Sequence, residues 1–263
     1  MSPMSPPLAR RTRRAVLPAS SAALLAAAVL AWVLTVRSSS GMAPGPGTMG
    51  RDLWGFLVLW GLMMAAMMLP SVTPVVSLYL RTLRAHATGW TRAGRSTGLV
   101  VGYLFAWEAF GLGAYGAAWA GGELAARAPG AAPWIGALLL AGAGLYQLTP
   151  LKDRCLSHCR SPVGFLLHFG GYTGRLRDLR VGLYHGGYCV GCCWGLMVVL
   201  IVVGVMNLAW MAGLAVAVFL EKTWRHGKAF SLVLGVALIG YACFVPWNPG
   251  LLPGLSMPPA MPM

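Results

Sequence analysis

The sequence predicts an all-α, polytopic transmembrane helix bundle of about seven spans. Three observations predict it. Hydrophobic residues make up 57% of the 263 and charged residues 10%, a composition that a soluble domain of this length cannot bury in one core. The apolar residues come in runs long enough to cross about 30 Å of hydrocarbon. The short segments between alternate runs collect arginine, so the excess of 20 Lys and Arg over 6 acidic residues, a net charge of +14, reads as the positive-inside bias of a membrane protein. A nucleic-acid surface is set aside on that ground, and the lipid bilayer is the first partner the composition implies.

Residues 1–14 are rich in Ser, Pro and Arg and end in Arg10, Arg11, Arg13 and Arg14, which reads as a disordered basic cytoplasmic tail. Residues 15–36 follow as a first membrane span or signal anchor. The run is long for a secretory signal, and Val36-Arg37-Ser-Ser-Ser lacks a small-x-small cleavage site. Residues 37–52 form an outer linker of Ser, Gly and Pro.

The second span, about Leu53 to Leu80, carries Met63, Met64, Met67 and Met68 and then Pro70 and Pro74. Each proline removes a helical hydrogen bond, which predicts a kink and freed carbonyls near Ala66 and Pro70. Arg81, Arg84, Arg92 and Arg95 mark the next loop as cytoplasmic. The third span, about Thr97 to Ala120, holds Glu108 in mid-membrane, and an outer loop with Glu123 and Arg127 leads to a fourth, about Pro133 to Leu148. The hydrophilic segment 149–182, with Lys152, Arg154, Arg160, Arg175, Arg177 and Arg180, is cytoplasmic by the same rule.

The fifth span, about Leu183 to Val203, ends in a tight outer turn, Gly204 to Asn207, where Asn207 is read as structural. The sixth, about Leu208 to Leu220, runs into the basic inner loop Glu221 to Lys228. The seventh, about Ala229 to Val245, leads to an outer Pro- and Met-rich tail, 248–263. Seven spans with the amino terminus in the cytoplasm and the carboxyl terminus outside satisfy every loop charge, as expected of a bacterial inner-membrane protein.

The stretch His185-Gly-Gly-Tyr-Cys-Val-Gly-Cys-Cys-Trp-Gly-Leu-Met197 carries the chemistry. At about 100° per residue, His185, Cys189 and Cys192 share one helical face with Cys193 at its edge. Behind them Leu196 to Val205 offers an apolar wall without water to compete for an ion. Cys155-Leu-Ser-His158-Cys159 adds a second thiol and imidazole group just past the fourth span, and the topology puts both groups on the reducing cytoplasmic side, as free thiols. Cysteine also serves as a small buried hydrophobe, yet five cysteines together with His158 and His185 within 39 residues are more than packing needs. The methionine quartet spans an arc of about 140° and is either flexible filler or a set of soft thioether ligands.

Glu108 reads as a hard ligand, a proton or ion carrier, or the partner of a base such as Lys222. Glu221 reads either as an accessory group or as a surface charge at a helix end. Tyr184, Tyr188 and Trp194 read as interfacial anchors. Trp60-Gly-Leu-Met63 recurs as Trp194-Gly-Leu-Met197 in spans of opposite direction, which raises a 3+3 inverted repeat; four letters from a Leu-, Gly- and Trp-rich sequence also recur by chance.

Four motifs, Met63-Met-Ala-Ala-Met-Met-Leu-Pro70, Tyr146-Gln-Leu-Thr-Pro-Leu-Lys152 with Cys155 and Cys159, His185 to Trp194, and Val205-Met-Asn-Leu208 followed by Glu221-Lys222, resemble the bacterial integral-membrane family described as predicted metal-binding, domain-of-unknown-function family 2182. The resemblance covers about residues 53 to 245. It implies a membrane-embedded metal-binding domain, bounded here at 53–247, with six spans in the family core.

Soft ligands on a reducing face point to a soft transition metal, copper as Cu(I) first, with zinc, nickel and cadmium open. Transport or handover of that ion is the expected function, with a metallochaperone or metalloenzyme as a partner and no enzymatic activity required. Without a P-loop any transport is passive or gradient-driven. Two other classes compete: a membrane thiol-disulfide oxidoreductase using Cys189-Val-Gly-Cys192, and an accessory subunit with a structural metal site.

Overall fold

The computed structural model describes residues 19–40, 45–82, 89–161, 164, 174 and 176–255. The basic tail 1–14, Arg84, Arg175 and the end of the Pro/Met tail from residue 256 lie outside the described residues. The described residues form eight α-helices, with no strand among them: α1 Ala19–Ser39, α2 Leu53–Thr82, α3 Gly89–Arg127, α4 Ala132–Gln147, α5 Pro150–Arg160, α6 Arg177–Val202, α7 Leu208–Thr223 and α8 Gly227–Phe244.

Each of the seven apolar runs is helical over its described residues. Five helices (α1, α2, α3, α6 and α8) are long and apolar enough to cross a membrane, and α4 with α5, bent by 61° at their junction, makes a sixth if the pair is one broken span. Helix α7 has 16 residues, about 24 Å, which is less than the hydrocarbon thickness of about 30 Å.

Glycine sets the closest approach in the bundle. Helix α3 packs along α6, and a Cβ at Gly182 would collide with the Leu99 carbonyl, one at Gly102 with the Leu179 carbonyl, and one at Gly186 would meet the Tyr103 carbonyl oxygen at 2.8 Å. In lipid no hydrophobic force drives helices together, so this small-residue seam, which lets two backbones touch, is what holds α3 and α6 in register. Helices α4 and α8 meet in the same way, through Gly144 and Gly235. At one end of the α3–α6 seam, Asp178 accepts from Arg95 at 3.2 Å and from the Tyr79 hydroxyl, tying α2, α3 and α6 together.

Helix α2 continues through Pro70 and Pro74, and the hydroxyls of Ser71 and Thr73 donate to the Met68 and Leu69 carbonyls at 2.9 and 2.8 Å, adding side-chain donors to the backbone of the proline-containing stretch. Three expectations need correction. Helix α3 spans 39 residues, about 58 Å, so Arg92 and Arg95 belong to its first turns and not to a loop. The hydrophilic segment after α4 is partly a packed helix: Thr149 caps α5 by accepting from the Lys152 amide at 3.3 Å and Pro150 occupies its first turn, a start signal written in the sequence. Lys152, expected as a loop charge, is 1% exposed.

The third correction concerns Glu221, for which the surface-charge reading fails. Its side chain is fully buried and takes the Lys152 ammonium on both carboxylate oxygens at 2.8 Å. Gln147 Nε2 donates to the same carboxylate at 3.3 Å, and Arg160 Nη1 donates to the Glu221 carbonyl at 3.2 Å. This network fixes the α4–α5 elbow against the end of α7. The repeated Trp-Gly-Leu-Met segments sit in unlike surroundings: Trp60 is buried and donates to the Trp107 carbonyl at 3.1 Å, whereas Trp194 is 37% exposed and packs on Tyr146.

Candidate metal centre

The site is built on one face of α6. A helix of 26 residues starting at Arg177 carries His185, Cys189, Cys192 and Cys193 inward together, and all four are buried, as a 3.6-residue period requires. The Sγ atoms of Cys189, Cys192 and Cys193 lie within 4.8 Å of one another, and among the described residues this is the group of Cys, His and acidic side chains that converges closely enough to hold an ion. Cys192 and Cys193 Sγ are 3.3 Å apart, and all six cysteines are free thiols. Three sulfurs bound at about 2.3 Å to a common ion lie roughly 4 Å apart, so the spacing suits a soft thiolate-bound metal.

Helix α5 adds a fourth sulfur. Cys159 Sγ is 3.8 Å from Cys192 Sγ, brought there because Lys152, Leu156 and Cys159 form the buried stripe of α5. Cys155 is half-buried, and its Sγ lies 3.0 Å from where a Cβ on Gly191 would stand, so a larger residue at 191 would push it away. His158 stacks on Tyr188 with ring centroids 4.0 Å apart and meets Tyr184 edge-on. Those two tyrosines therefore pack α6 onto α5. His185 stands one turn before Cys189, outside the converging trio, with its ring 5.9 Å from that of Tyr103.

Two residues that the sequence reading did not assign to this centre meet Cys189. Lys222 Nζ is 2.9 Å from Cys189 Sγ and donates to Ser71 Oγ at 3.3 Å, and the Tyr103 hydroxyl is 2.9 Å from the same sulfur. Lys222 lies in the last turn of α7, where a cation suits the helix dipole. It does not pair with Glu108, the partner considered from sequence. A lysine closing an apolar run is itself a signal, since an ionisable group at membrane depth is a functional hypothesis by default.

Met63, Met64, Met67 and Met68 are all buried in the same core, so the arc they span faces protein. Their helix reaches the cysteines through Ser71, which donates to the Met68 carbonyl and accepts from Lys222. Glu108 lies farther along α3, half-buried, with its carboxylate against Gly61 of α2. Cys243 is exposed on α8, away from the centre.

The chain belongs to the PpoB2 copper chaperone family, whose model matches residues 57–245. No curated protein and no solved structure matches it. The matched segment begins inside α2 and ends where α8 ends, so it contains every residue of the cysteine centre and leaves out α1.

Proposed function

We propose that the protein is a multi-span copper chaperone of the bacterial inner membrane that binds Cu(I) as cargo and hands it to a metallochaperone or metalloenzyme. The observation that carries this reading is the convergence of the Cys189, Cys192 and Cys193 sulfurs within 4.8 Å inside an apolar bundle. Thiolates are soft donors and match a soft ion, and thiols that bind as thiolates release protons on loading. Cys159 beside Cys192, with Cys155 and His158 on the same short helix, forms the approach to the trio. His185 and the thioethers of Met63, Met64, Met67 and Met68 serve as further ligands along the path. Glu108 acts as an ion or proton carrier and Glu221 as an accessory that holds the elbow.

The membrane-embedded unit is 53–247, with the 15–36 segment as an additional span or anchor and the 37–52 linker outside. The arginine-rich segments face the cytoplasm, so the amino terminus is inside and the carboxyl terminus outside. The α5 cysteines then stand on the reducing side.

Elemental analysis of the detergent-purified protein, grown with mixed metals, tests this directly. Stoichiometric copper is expected in the wild type and none in a Cys189/Cys192/Cys193 triple alanine. Absence of metal from both, with thiols that react readily, would reject the copper reading in favour of redox chemistry. Cys192→Ser separates the classes further. A carrier loses copper with the fold intact, an oxidoreductase loses a trappable mixed disulfide, and a structural site loses the protein from the membrane.

A further inference from the structure

Thiolate softness alone does not choose between a monovalent and a divalent d10 ion, since cysteine sites hold zinc as readily as copper. We propose that Lys222 makes that choice: its ammonium is a fixed positive charge beside the cysteine trio that selects singly charged soft ions over doubly charged ones. The inference rests on the copper reading of the centre and adds the residue that sets its ion selectivity.

Geometry places the charge. Lys222 Nζ is 2.9 Å from Cys189 Sγ, and an ion bound to that sulfur at about 2.3 Å therefore lies within about 5 Å of the ammonium. The charge is not cancelled by its chain neighbour, because both oxygens of Glu221 are occupied by Lys152 at 2.8 Å. Around Lys222 and Cys189 stand the hydroxyls of Ser71 and Tyr103, which are neutral, the Cys192 and Cys193 sulfurs of the trio itself, and the His185 ring one turn away; none of these is a carboxylate. An ion with one more positive charge is repelled once more by the same ammonium, whatever the protonation of the sulfurs. At about 5 Å and an effective dielectric constant near 20, that extra repulsion is worth on the order of a hundredfold in relative affinity.

Silver(I) and cadmium(II) are an isoelectronic soft pair that differ in charge, as copper(I) and zinc(II) are, and so isolate the effect. The experiment measures the ratio of silver to cadmium affinity by chelator competition on the detergent-solubilised full-length protein under reducing conditions. The ratio is expected to fall on the order of a hundredfold in Lys222→Met and to stay near the wild-type value in Lys222→Arg, which keeps the charge. If Lys222→Met does not accumulate, Ser71→Asp sets a carboxylate beside the same ammonium and is expected to move the ratio in the same direction. An unchanged ratio in either neutralising variant, with both ions still bound, overturns the role of Lys222 and leaves the copper centre standing. A wild type that binds neither ion overturns the centre itself.

Discussion

Two lysines reach the inner core of the bundle, and their partners differ in kind. Lys152 is 1% exposed and faces a carboxylate on both of its oxygens, with the Gln147 side chain closing the set. Lys222, one residue after that carboxylate in sequence, is only partly buried and faces a thiol and a hydroxyl. The first charge is cancelled by a carboxylate, and the second is held against sulfur with no carboxylate beside it. A cancelled pair can hold an elbow in place but has nothing left to offer a ligand. A charge held against the sulfurs themselves acts directly on whatever those sulfurs bind.

The largest effect is expected from breaking the closed pair. Glu221→Gln leaves the Lys152 ammonium buried without a counter-charge, a loss of about 3–5 kcal/mol, read as depletion from the membrane fraction and a lowered unfolding temperature in detergent. Restoring neutrality with Lys152→Met combined with Glu221→Leu should recover most of that loss, because a matched apolar pair often does as well as a buried ion pair. Recovery would show that the elbow needs closure and not charge.

Lys222→Met comes next, and the contrast predicts a smaller cost. Its partners are a cysteine sulfur that can hold its own proton once the ammonium is gone and a hydroxyl that already donates to the Met68 carbonyl, so no charge need be stranded. The expected loss is at most about 1.5 kcal/mol, measured by the same unfolding transition. A loss as large as that of Glu221→Gln would mean that both lysines are structural, and the comparison would collapse.

How much of this was readable beforehand follows from where each signal lies. The helices were legible because hydrocarbon demands long apolar runs, and the cysteine face of α6 because four residues within nine positions fix their own geometry on a helix. Helix α5 was hidden by its composition: Lys152, Asp153, Arg154 and Arg160 read as a loop until the buried Glu221 supplies the partner that lets Lys152 sink. Lys222 was hidden by distance, since its sulfur partner is 33 residues away on another helix and no spacing rule joins a lysine to a thiol. Sequence spacing reports neighbours on one element, and the elbow and the open ammonium are both made between elements.

The smallest change sharpens the comparison most finely. Tyr103 comes from α3, and its hydroxyl lies 2.9 Å from Cys189 Sγ, held there because the glycine seam brings α3 and α6 into backbone contact. Tyr103→Phe removes one hydrogen bond and no charge, so stability is expected to fall by about 1 kcal/mol, below the cost at Lys222. Copper stoichiometry should stay at the wild-type value, because a neutral phenol adds nothing that soft-ion binding by three sulfurs requires. The silver-to-cadmium ratio should also hold, since the nearby positive charge is untouched. A fall in copper to the level of Cys189→Ala would make the hydroxyl part of the centre, and the division between a charge that selects and a neutral contact that only positions would have to be redrawn.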